Sequence, residues 1–193
     1  MISSSVSKSA TFLQRANFVL GHAREAVIVS RTPSFDWPNS TDPTHSDFME
    51  ALSTRAASGK LRCRYLMAAE DVAYRALVRA RASGSETSTE ERARALRRVG
   101  ADICSPTGLA GLEVLVVEGG HFPAFELWSV LPVDDNAGAP TLARFSFDQS
   151  AEIREMIAKP SSLRRLADEL SQHSKPLQEH LNLEAQELQQ LEP

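Results

Sequence analysis

Hydrophobic positions along this chain follow a four-residue period in some stretches and a two-residue period in others. "SATFLQRANFVLGHA" sets Phe12, Ala16 and Leu20 on one helix face, with Ser9 placed to cap its start and Gly21 to end it. "EAVIVS" follows as a short, β-branched, buried strand. "RTPSFDWPNSTDPTHS" carries three prolines and is predicted to be a long loop. "DFMEALSTRAASG" returns to helical spacing. Asp47 and Glu50 form a capping-box pattern, Phe48 and Leu52 share a face, and Gly59 stands at the C-cap. In "KLRCRYLMA", Leu61, Cys63, Tyr65 and Met67 alternate with Arg62 and Arg64, the mark of a strand with two unlike faces.

Two helices are then predicted, "EDVAYRALVRARASG" and "TEERARALRRVG", the second opened by Ser88 with Glu91 and closed by Gly100. "ADICS" reads as a third strand. "LEVLVVE" and "FELWSVL" read as an antiparallel hairpin joined by "GGHFPA", and "TLARFSF" as a further strand. "DQSAEIREMIA" and "SSLRRLADELSQH" read as helices around Pro160, with Leu163, Leu166 and Leu170 on one face. The last helix, within 174–193, aligns Leu177, Leu181, Leu188 and Leu191, and its first turn suits Ser174 and Pro176. The alternation in the first half predicts parallel strands joined by crossovers, and the second half adds antiparallel strands. The expected class is α/β: a mixed parallel/antiparallel sheet with helices on both faces and C-terminal amphipathic helices. Residues 1–172 form the α/β domain, and 173–193 a helix that packs on it or on a second subunit.

Composition narrows the function classes. A chain of 193 residues with 42% hydrophobic and 24% charged residues suits one domain with a real core. A formal net charge of −4 offers no global field for nucleic acid or an anionic membrane. The arginines of "YRALVRARA" and "RARALRRV", among them Arg75, Arg79, Arg94, Arg97 and Arg98, read as solvated helix faces rather than phosphate grips. Cys63 and Cys104 have no metal-ligand spacing and read as reduced, buried thiols. No apolar run reaches the length of a membrane span, and "MISSSVSKSA" lacks the apolar centre of a signal peptide, so the expectation is a cytoplasmic protein.

No nucleotide-loop, nucleophile-elbow or paired-metal-ligand motif occurs, and no cofactor or metal is expected. Two places remain for chemistry. The loop after "VIVS" begins at the carboxyl end of the first strand, where open α/β sheets bind ligands. It offers Arg31, Asp36, Trp37 and His45: Arg31 to clamp a phosphate or carboxylate, Trp37 to stack on a ring. Read structurally, Phe35 and Trp37 instead anchor the loop. The other place is "VEGGHFPAFELWSV". His121 could act as acid or base with Glu126 orienting it, but five residues of extended strand separate them by ~16 Å. The plain alternative is a solvent-exposed histidine at a hairpin tip, with Glu126 on a polar sheet face.

The succession of strand, helix, "KLRCRYLMA", helix, "ALRRVGADICS", hairpin and "ARFSFDQSAEIREM…LRRLADEL" resembles a phospholipase D-like module over roughly residues 20–172. That family reacts through His-x-Lys followed, with four residues between, by Asp. In one register those positions here are Ala110, Leu112 and Val117, and in another His121, Pro123 and Trp128. The resemblance therefore implies a fold and a homodimer, without the family's phosphodiester chemistry or its catalytic residues. The resulting expectation is a non-catalytic binding or regulatory protein that senses a small molecule or docks a protein partner. The alternative is a hydrolase or transferase acting on a phosphate-bearing or nucleotide-like substrate, with His121 or His45 as base.

Overall fold

The computed structural model describes residues 16, 20–31, 43–69, 72, 88–103, 111–132, 141–147 and 152–190. The β-branched run at 23–30 becomes β1 (Ala23–Ser30), the central strand of one seven-stranded sheet. β2 (Arg62–Ala68) pairs with it in parallel, and β3 (Leu112–Val117) pairs in parallel with β2. On the other side of β1, three strands run antiparallel in succession: β4 (Phe125–Pro132), β5 (Thr141–Phe147) and β6 (Glu152–Ala158). A short strand, β7 (Ser174–Pro176), closes the edge beyond β3. The strand order is β6-β5-β4-β1-β2-β3-β7. The mixed α/β sheet expected from the patterning is the fold observed.

Helices cover both faces. On one lie α1 (Pro43–Ala57), α2 (Thr89–Ile103) and α4 (Leu177–Gln190), with the helical residues Ala16 and Leu20. Phe48, Met49 and Leu52 of α1, Leu96 and Val99 of α2, and Leu177 and Leu181 of α4 meet Ile28, Cys63, Tyr65 and Val116 of the sheet. Phe48 also packs on Trp128 of β4, ring centres 6.1 Å apart. On the opposite face α3 (Pro160–Gln172) lays Leu163, Ala167 and Leu170 against Val27, Val29, Leu66, Leu115 and Val117. Two ion pairs fix its placement: Arg164 to Glu25 at 2.9 Å, and Asp168 to Arg64. Residues 174–190 supply a strand to this sheet and a helix to this core, so the leucine face of α4 is filled by its own chain.

Several local expectations hold. Ser88 and Glu91 form a reciprocal capping box, each side chain accepting from the other's backbone N–H. Gly59 adopts φ 69° and lets Lys60 N donate to Arg55 O, ending α1. Others do not. α1 starts at Pro43 rather than at Asp47, because proline is preorganised for a first helical turn; His45 therefore lies inside a helix, not in a loop. The strand expected at "ADICS" is helical over Ala101–Ile103, as α2 continues through Gly100. That glycine is buried because α4 crosses it: a Cβ there would stand 2.9 Å from Gln178 Nε2. The helix expected at "AEIREMIA" is β6, since pairing with β5 decides the state of a short, ambiguous segment. Cys104, Leu191 and the helix expected beyond Val72 lie outside the described residues. Cys63 is a buried free thiol, its pKa pushed far up first by burial and then by the charge of Glu113.

Candidate functional site

The largest departure from expectation concerns "VEGGHFPAFELWSV". β3 and β4 are not a hairpin; β2 and β1 lie between them in the sheet. β3 ends at Val117 beside Ala68, the carboxyl end of β2, and β4 begins where Leu127 faces Val29, near the carboxyl end of β1. Residues 118–124 therefore cross over the carboxyl ends of the parallel strands. This is the end of the sheet at which open α/β folds place ligands.

Arg31 follows β1 directly into this region. Its Nη2 donates to Pro123 O at 3.5 Å, and its guanidinium carbon lies 5.2 Å from the centre of the Phe122 ring. One in-plane donor thus meets a backbone carbonyl while the charge sits over an aromatic ring. Phe122 is itself half-buried against the α3 face of the sheet, which anchors the crossing from below. Glu126, at the start of β4, receives the Arg31 backbone N–H at 2.9 Å and the Ser30 hydroxyl at 3.3 Å. It fastens the crossing to the tip of β1. The expected polar face for Glu126 is thus a specific lock, and its Oε1 serves Ser30 and Arg31 in place of the imidazole of His121.

His121 is exposed, as expected, but it has a ring partner. It stacks on His173 with ring centres 3.8 Å apart and planes 2° apart. The contact joins the crossing to the C-cap of α3. The backbone repeats the junction: Glu118 N donates to His173 O at 2.9 Å, and His121 N to Glu118 O at 3.2 Å. Lys175 of β7 reaches Glu118 at 2.7 Å. That hydrogen bond and charge hold the Glu118 carboxyl below its usual range, with smaller help from His121 and His173. The same pair raises Lys175.

The structure brings Arg31, at the tip of β1, and His121, on the crossing, to one end of the sheet. Asp36 and Trp37 lie outside the described residues, and only the backbone of His45 is described, in the first turn of α1. Among the described residues, no group of three or more His, Cys, Asp or Glu could hold a metal ion. No described helix is long and apolar enough to cross a membrane. Phe122, His173 and Lys175 were missed as site residues. His173 and Lys175 lie some fifty residues along the chain from His121, and only the edge position of β7 brings them near it. Phe122 had a signal: an aromatic beside the Gly-Gly turn, between apolar runs. No protein-family model matches this chain, and no curated protein or solved structure is significantly similar to it.

Proposed function

We propose that this is a non-catalytic binding or regulatory protein that takes a small anionic molecule at the carboxyl ends of β1 and β2, with Arg31 as the recognition group. The observation that carries the reading is the double support of Arg31. Its backbone N–H is bonded to Glu126, its guanidinium carbon lies over the Phe122 ring, and its Nη2 is bonded to Pro123 O. A cation pre-positioned this way loses little side-chain freedom on meeting a phosphate or carboxylate. Asp36 and Trp37, on the segment that follows Arg31, are proposed to complete the site. The resemblance to a phospholipase D-like module enters this proposal as an element order. Two of its elements are built differently here: the expected strand "ADICS" is helical over its described residues, Ala101–Ile103, and the expected hairpin at 112–131 is split by β2 and β1.

A thermal-shift screen of nucleotides, sugar phosphates and carboxylic acids tests the reading. A ligand at about one hundred times its Kd adds about 2.7 kcal/mol, or roughly 5–10 °C in Tm for a chain of this size. The expected result is a hit whose affinity falls at least about tenfold in Arg31→Ala, since a charge-assisted hydrogen bond contributes about 1.5–3 kcal/mol. A hit that binds Arg31→Ala as tightly as wild type overturns the assignment of Arg31. No hit across the screen, with no partner in pull-down, overturns the reading altogether. A second reading, a hydrolase or transferase for a phosphate-bearing substrate, is favoured by the exposure of His121 at the same strand ends. It requires that His121→Ala abolish turnover while leaving binding in place.

A further inference from the structure

The His121–His173 stack is used by neither reading as it stands, yet it joins the crossing to the C-cap of α3, beside the packing of Phe122 on that face. We propose that these two imidazoles form a proton-sensitive latch: stacked and closed when at least one ring is neutral, and opened when both take up a proton. Two neutral imidazoles stack without charge repulsion at 3.8 Å, whereas two imidazolium ions at that distance repel, by about fivefold in equilibrium where fully exposed and by more where half-buried. The outcome depends on which charges surround the pair. Glu118, from the end of β3, is the acid that acts on both rings, but Lys175 of β7 already engages it at 2.7 Å. One proton on the pair is balanced by Glu118 shared in this way; a second is not.

The other charged groups near the junction have partners of their own: on α3, Glu169 pairs with Arg165. Glu179 and Glu187 of α4 act on Lys175, and His180 of α4 senses Lys175 and Glu118 rather than the stack. On the β1 side, Glu126 is held by Ser30 and the Arg31 backbone, and the Arg31 charge sits over Phe122. The sign follows. Acid works only against the latch, since each added proton brings the pair closer to two like charges in contact. Phe122 and Pro123 belong to the fastened segment, so release of the latch loosens the support of Arg31. Only this last consequence rests on Arg31 being the ligand group.

The test needs no ligand, so its failure and that of the binding reading are distinguishable. Amide hydrogen exchange is followed by NMR at Glu118 N–H, which donates to His173 O, and at His121 N–H, which donates to Glu118 O. After correction for intrinsic rates, protection at both sites is expected to fall about tenfold or more between about pH 7.5 and about pH 5, low enough for the second proton. In His121→Phe and in His173→Phe, which keep an aromatic ring in the stack without a titrating group, the expected fall is under about twofold. The proposal is overturned if wild-type protection is unchanged across that range. It is overturned equally if either folded variant loses protection as wild type does.

Discussion

Single side chains carry more of this fold than their sequence neighbourhood announces. Arg64 is the clearest case: it lies in β2, its side chain 6% exposed, and pairs with Asp168 of α3, which is 62% exposed. The two ends of the bridge are therefore not equivalent. Removing Asp168 leaves a buried guanidinium without its carboxylate, whereas replacing Arg64 with an apolar chain leaves only a solvated acid. Asp168→Ala is expected to cost about 2 kcal/mol, below the range for a fully buried pair because water reaches the acid. Arg64→Met should cost under about 1 kcal/mol or stabilise. Equal losses in denaturant unfolding would contradict this asymmetry. Alternation in "RCRYLM" was enough to separate Cys63 and Tyr65 from Arg64, but it implied a wet face for the arginine. The burial comes from α3, a hundred residues later, and no local pattern encodes it.

At the scale of elements, local rules succeeded where an element's ends are set by its own residues, as at Ser88–Glu91 and Gly59. They failed where the partner decides. "EIREMIA" has Ile153 and Ile157 four residues apart, a helical spacing, yet β5 recruits it as a strand. "LEVLVVE" and "FELWSVL" satisfy every local condition for a hairpin. The strands they select are β2 and β1 instead, and that choice turns a turn into a crossing over the site. Two glycines with similar backbones show what such junctions require. Gly111 has φ 79°, and a Cβ there would stand 2.3 Å from Ala57 N at the end of α1. Gly120 has φ 83°, with nothing within 4 Å of a Cβ. Gly120→Ala should cost about 1–2 kcal/mol, the left-handed penalty alone. Gly111→Ala should cost about 3 kcal/mol or more, since α1 and β3 must separate as well. Unfolding midpoints that shift equally would show that α1 is not seated on the start of β3.

Among the described residues, helices pack on both faces of the sheet around β1, β2 and β3, and polar contacts lie at the strand ends and under α3. Acid acts on this arrangement at two separate places. Besides the stacked pair, His180 of α4 is largely buried, and its pKa is lowered chiefly by that burial, partly offset by Glu184. A base whose folded pKa lies below its unfolded value binds fewer protons when folded. Its contribution is therefore present at and above neutral pH and lost as pH falls below about 6.5. His180→Leu should flatten global stability between about pH 7 and about pH 5.5 while leaving the local exchange at Glu118 and His121 unchanged. A variant whose global stability falls with pH as steeply as wild type would remove His180 from that account.

The reading of the whole molecule rests on where a ligand sits. The most direct measurement is a two-dimensional amide NMR titration of the full chain with the tightest-binding anion from the screen. Saturable shifts centred on Ser30, Arg31 and residues 118–126, abolished by Arg31→Ala, are the expected result. Shifts centred elsewhere, such as on α2 and α4, or undiminished in that variant, would contradict it.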